Sequence, residues 1–329
     1  MSAETRVDSK ASGPFADRLE DAVRAKGSAC LVGLDPHLAS IPPEYAAVHD
    51  ATASRAERAA AMGDFLVDVI AAVADLTPAV KPQSAFFEAL GADGVAQWER
   101  VVAAARDAGL LVIGDVKRGD IGSTAAAYAE AFLTGVPGTD PRTLCDAVTL
   151  NPYLGTDSVQ PFLDACKAHG TGVYVLVRTS NPSSSELQAA GAPSLAEQVA
   201  SLVDRWGAAL VGGSGLSSVG AVVGATHPDE LARFRALLPR TPFLIPGYGA
   251  QGGAAHDVVG GFMRGHRDAL RGAIINSSRG ILYAYRERPG LAWQDAARAA
   301  LRDMGAAIGA AVRAGGSASL ASTDRSARP

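Results

Sequence analysis

The sequence predicts an α/β chain folded as a single-domain (β/α)8 barrel of the TIM type. Two observations carry that prediction. About eight short apolar runs follow one another, each with a helix-patterned segment behind it, and eight such units in 329 residues fit a closed barrel better than an open doubly wound sheet. The first run ends in "GLDPH", so the glycine-rich turn of a dinucleotide-binding fold is missing.

The elements are justified in order. Residues 1–13, "MSAETRVDSKASG", form a polar leader without the apolar core of a signal peptide. In "PFADRLEDAVRAKG", Phe15, Leu19 and Val23 recur every four residues between Pro14 and Gly27, the pattern of a short amphipathic helix. "CLVGLDP" is apolar and stopped by Asp-Pro, as a buried parallel strand is. A helix carrying Phe65, Leu66, Val69, Ile70 and Val73 on one face precedes the strand "PAVKPQ", and a helix around "GVAQWERVVAAARDAG" leads into "LLVIGDVK". The alternation continues through "AVTLNP", "GVYVLVRTS", "VGAVVGATHP", "FLIPGYG" and "GAIINSSRG", with "SELQAAGAPSLAEQV" as an excursion after the fifth strand. The last helix, in "AWQDAARAALRDMGAAIGAAVRA", closes the ring; the barrel is expected over 14–314 and a disordered polar tail over 315–329.

Composition excludes several function classes. A net charge of -4 offers no basic stripe for nucleic acid and no polybasic segment for a membrane, and no stretch is apolar for long enough to span one. Cys30, Cys145 and Cys166 are scattered and unpaired in sequence, which suits reduced thiols and a cytoplasmic protein. Six dispersed histidines give a zinc site no support. Small-molecule chemistry remains.

In such a barrel the chemistry gathers at the carboxyl ends of the strands. There the first strand offers Asp35, the second Lys81, the third Asp115, Lys117 and Asp120, and the fifth Arg178, Thr179, Ser180 and Asn181. The seventh gives "PGYGAQGG", with glycine-permitted backbone N–H groups and the Gln251 amide, and the eighth "NSSRG" with the fork of Arg279; together these fit a phosphate. Asp115 and Lys117 lie two apart on one strand face, and nearby carboxylates favour the protonated form of a lysine, so the array suits a fixed proton donor. Two other readings compete: a structural ion-pair network, and a divalent metal on the aspartates, which interposed lysines would repel.

The motif "DVKRGDIGST" resembles the D-x-K-x-x-D-I-x-x-T signature of orotidine 5'-phosphate decarboxylases, with Asp115, Lys117, Asp120, Ile121 and Thr124 in register. The similarity runs from "GLDPH" to "NSSRG", and "KRGDIGST" is most similar to the bacterial type 2 subgroup. The resemblance implies decarboxylation of orotidine 5'-phosphate to uridine 5'-phosphate without a cofactor, in a homodimer whose sites are completed across the interface. It implies that Lys117 protonates C6 beside Asp115, with Asp120 and Thr124 reaching the partner's site. Lys81 would hold Asp115 and the ribose, and Asp35 the ribose hydroxyls. Gln251 and Arg279 would grip the phosphate, Tyr248 would lie in the closing loop, and Pro246 would pack by the base or serve as a turn device. Ser180 would bond the pyrimidine, with Thr179 and Asn181 as alternatives. The rivals are a magnesium-dependent sugar-phosphate lyase or aldolase on a related barrel and a non-catalytic nucleotide-binding protein.

Overall fold

Short apolar segments rich in Val, Ile, Leu and Ala become strands because both faces are covered, one by the barrel interior and one by helices. The computed structural model describes residues 13–226, 228–249, 253–263 and 270–323, with side chains of the last helix only as far as 315. The elements run α1 (Phe15–Lys26), β1 (Cys30–Leu34), α2 (Arg55–Val73), β2 (Ala79–Pro82), α3 (Ser84–Glu88), α4 (Gly91–Asp107), β3 (Leu111–Arg118) and α5 (Gly122–Ala129). They continue with β4 (Ala147–Leu150), α6 (Thr156–His169), β5 (Gly172–Arg178), α7 (Ser185–Gln188), α8 (Leu195–Gly207), β6 (Val219–Val223), α9 (Pro228–Leu237), β7 (Phe243–Ile245), β8 (Ala273–Ser277), α10 (Arg279–Leu282) and α11 (Trp293–Thr323). The eight strands pair in sequence order, all parallel, and β8 returns to β1 with Cys30 opposite Ile275. The (β/α)8 barrel predicted from the alternation is the fold observed.

Local chemistry sets the helix ends. Gly27, at φ 58°, ends α1 in the left-handed conformation, and its N–H reaches back to the helix. Ser54 and Glu57 form a capping box at the start of α2, and Ser194 and Glu197 repeat it on α8. The helix α11 runs to Thr323, past residue 315 where the sequence alone points to a polar tail. Its alanine- and serine-rich end contains no proline to stop the helix.

The amino-terminal mouth of the barrel is closed by α1. Phe15 is fully buried and meets Tyr174 edge to face at 6.0 Å; a Cβ on Gly172 would lie 2.3 Å from its ring, so only glycine fits there. The polar residues of α1 then serve the strand starts. Asp17 accepts the N–H groups of Gly213 and Ser214, Arg18 pairs with buried Asp146 at 2.5 Å, and Glu20 accepts the N–H of Gly272 at 3.1 Å. Polar groups at this end stabilise the fold, leaving the opposite end for chemistry. The three cysteines are buried free thiols, and burial pushes Cys30 up to about 11 and Cys166 up to about 12. Among the described residues no helix is long and apolar enough to cross a membrane.

Candidate active site at the carboxyl ends of the strands

The site begins with a break in a ladder. Gly114 on β3 pairs with Val148 on β4, and the next paired residues are Arg118 and Leu150, so residues 115–117 face Thr149 alone. Such a bulge bends the strand and breaks its pairing at the end of β3. Lys117 takes φ 46°, the one positive value among the described non-glycine residues, a left-handed conformation that costs an ordinary side chain about 1–2 kcal/mol.

Asp115 sits at the centre. Its Oδ1 accepts from Lys117 Nζ at 2.5 Å and from the Thr149 hydroxyl at 2.9 Å; its Oδ2 accepts from Lys81 Nζ at 2.6 Å and from Gln83 Nε2 at 2.9 Å. Burial by itself would raise this carboxyl, but Lys81 and Lys117 outweigh burial and hold it well below the usual carboxylate range. Lys81 is also buried, which alone would lower its pKa; Asp115 and Asp35 reverse that and raise it above the ordinary lysine value. Asp35 Oδ1 lies 3.9 Å from Lys81 Nζ. Lys81 and Asp115 are thus a fixed, fully charged pair, and Lys117, half exposed at its side chain, is the cation that faces the open space.

That space is a cavity of about 500 Å3, within the range of small-molecule sites. Asp35, Lys81, Asp115 and Lys117 form one wall, and Ser180 with Thr179 and Asn181 another. Pro246, Tyr248 and Arg279 line the third, and Leu176, Val222 and Leu244 give an apolar floor. Asp35 Oδ1 and Asn276 Oδ1 are buried, and among the described residues neither has a hydrogen-bond partner. Two buried acceptors facing one cavity fit a ligand that donates hydroxyl protons. Gly33 keeps this corner open for Asn276 and Ser278: a Cβ there would lie 2.0 Å from Ser278 Oγ and 2.9 Å from Asn276 Oδ1.

Beside Pro246, Gly247 (φ 99°) and Gly249 (φ 71°) turn the chain after β7, and Tyr248 bridges to Gly253. Gly249 N–H donates to Gly253 O at 2.8 Å, folding the loop on itself. Burial pushes the Tyr248 hydroxyl upward, so it is a neutral donor. Gln251 lies outside the described residues.

The remaining predicted residues are placed differently. Asp120 and Thr124 lie beyond the end of β3 and do not line the cavity of their own chain; Asp120 accepts the N–H of Ile121 at 2.8 Å. Arg178, a strand-end candidate, turns away from the cavity and is buried on Glu230 at 2.6 Å and Ser184 Oγ at 2.6 Å. Three residues that sequence reasoning passed over belong to the site: Thr149, Gln83 and Gln188. Gln83 directly follows β2, so the rule that found Lys81 would have found it, whereas Thr149 lies within β4 and Gln188 at the end of α7. Gln188 holds the fifth loop, accepting from Thr179 N–H at 2.8 Å and donating to its hydroxyl at 2.7 Å. Among the described residues no three His, Cys, Asp or Glu side chains are gathered as a metal requires.

Comparison with known proteins converges on one family. Residues 31–293 match the model described as Orotidine 5'-phosphate decarboxylase / HUMPS family. An orotidine 5'-phosphate decarboxylase of Rhodopirellula baltica is 42% identical over 301 residues, covering 88% of this chain and 97% of the relative. One of Deinococcus radiodurans is 42% identical over 271 residues, covering 82% and 89%. Among solved structures, the OMP decarboxylase of Leishmania donovani superposes with a TM-score of 0.69 at 33% identity, covering 91% of this chain and 99% of that one. A barrel with a lysine–aspartate array at its carboxyl end, matched over most of its length by these proteins, belongs to the orotidine 5'-phosphate decarboxylase/HUMPS family.

Proposed function

We propose that the cavity binds orotidine 5'-phosphate with its reacting carbon against Lys117 and its phosphate against the loop after β7. The chain is a carboxy-lyase that converts orotidine 5'-phosphate to uridine 5'-phosphate and carbon dioxide. The observation that carries the residue roles is Asp115 clamped between a buried lysine and an accessible one.

When the C6–carboxyl bond breaks, carbon dioxide departs and its bonding electron pair stays on C6. A preorganised ammonium at Lys117 stabilises that charge without solvent reorganisation and then gives it a proton. Asp115 fixes the ammonium, and Lys81 compensates the buried carboxylate. The acceptors Asp35 and Asn276 suit the ribose hydroxyls, and Ser180, Thr179 and Asn181 face the position of the base. Arg279, with Tyr248, Gln251 and the glycine N–H groups after Pro246, would hold the phosphate, far enough from C6 that its binding energy goes into closing the loop and excluding water. Asp120 and Thr124, absent from their own cavity, complete the site of a second copy in a homodimer.

The test is the loss of orotidine absorbance on mixing purified protein with orotidine 5'-phosphate in excess chelator. Wild type is expected to consume it, and Lys117→Ala to bind uridine 5'-phosphate while losing turnover. A folded wild type giving a flat trace with chelator but an active one with magnesium would overturn the cofactor-free reading.

A further inference from the structure

We propose that Thr149 is a positioning residue for the proton donor, its hydroxyl holding the backbone turn of Lys117 and orienting Asp115 together; the inference rests on the decarboxylase reading of the site. In an unbroken ladder the N–H of Lys117 would meet a main-chain carbonyl of a neighbouring strand. At the bulge it donates instead to Thr149 Oγ1 at 3.0 Å. A hydroxyl has one proton and two lone pairs, and the proton of Thr149 goes to Asp115 Oδ1 at 2.9 Å. The same Oδ1 accepts Lys117 Nζ at 2.5 Å. The contacts close a ring from the Lys117 amide through Thr149 and Asp115 to the Lys117 ammonium. One hydroxyl therefore sets both ends of the lysine.

Two further facts support this assignment. Lys117 is held at φ 46°, a conformation that persists only where the surroundings impose it, and the Thr149 hydroxyl is the group bonded to its amide. Thr149 is 1% exposed, so its hydroxyl is committed to these protein partners, and removing it leaves a buried group without its bond. Valine copies the shape of threonine and removes only the hydrogen-bonding group.

Thr149→Val is expected to lower kcat about 10- to 100-fold, the effect of a misplaced catalytic group. KM and the affinity for uridine 5'-phosphate should stay within about two-fold, because other strands supply those contacts. Hydrogen exchange at the Lys117 amide should quicken in the same variant. An unchanged kcat, with or without a lower Tm, would overturn the proposal and reduce Thr149 to packing. If the valine protein does not fold, Thr149→Ser carries the test. Turnover within a few-fold of wild type supports the hydroxyl, and a folded serine protein as inactive as Lys117→Ala overturns it. A wild type inert toward orotidine 5'-phosphate would sink the decarboxylase reading alone; the amide exchange of Thr149→Val then still decides whether the hydroxyl holds the turn.

Discussion

Asp115 has all its acceptor capacity in use, and that makes it as much a structural residue as a chemical one. Asp115→Asn keeps the shape but leaves Lys81 buried with Asp35 3.9 Å away as its remaining anion. Removing one partner of a buried pair costs about 3–5 kcal/mol, so urea unfolding should show a loss of that order together with loss of turnover. The pH dependence has a definite sign. The folded pKa of Asp115 is depressed, so its stabilisation is present above the unfolded value of about 3.9 and is lost as pH falls below it. The folded pKa of Lys81 is raised, so its share is present below about 10.4 and is lost as pH rises through the folded value. The stability gap between wild type and Asp115→Asn should therefore be flat between these limits and narrow in acid. A gap that widened below pH 4 would show Asp115 buried in its protonated form. Asp115, Lys117 and Lys81 were legible because charge at the end of an apolar strand is conspicuous. Thr149 was not, because a threonine inside "AVTLNP" is an ordinary strand residue until the bulge opposite it is seen.

At the scale of elements, the loop after β5 is an arm braced from outside the cavity. Arg178 ends β5, and its guanidinium reaches Glu230 on α9, Ser184, and Ser185 at the start of α7, while Gln188 at the end of α7 returns to Thr179. The cavity-lining stretch Thr179–Asn181 is thus fixed by residues that do not all touch the ligand. Arg178→Met keeps the aliphatic stem and removes these hydrogen bonds, each worth roughly 1–3 kcal/mol when a charged group is involved. KM for orotidine 5'-phosphate should rise by about tenfold, equivalent to about 1.4 kcal/mol, with a smaller change in kcat. An unchanged KM in steady-state kinetics would mean that Gln188 alone braces the arm. The strands and main helices were readable from apolar runs and four-residue spacing. The brace was not, because "NPSSSELQ" signals a loop but not which hydroxyls meet an arginine several residues before them.

At the scale of the molecule, the cavity is lined from one chain, and Asp120 and Thr124 lie outside that lining. Asp120 and Thr124 follow the bulge on the rim beside the cavity, and the neighbouring surface is unusually apolar for exposed loops: Ile121 is 51% exposed and Tyr153 80%. The loops after β3 and β4 adjoin, with Asn151 N–H donating to Arg118 O at 2.9 Å, so these residues belong to one face. The barrel itself was legible because its strand–helix repeat is local, whereas a second copy leaves its mark only through such a face and through site residues turned outward. If that face is the two-fold interface, Asp120 serves the partner's cavity and Lys117 its own. Lys117→Ala and Asp120→Asn proteins, each inactive alone, should then regain activity when unfolded and refolded together. Half of the dimers would be mixed, and each mixed dimer would carry one intact site, giving about a quarter of wild-type turnover. If Asp120 instead acts within its own chain, the mixture contains no cavity with both residues and stays inactive, so the same assay that detects decarboxylation decides which chain supplies the second aspartate.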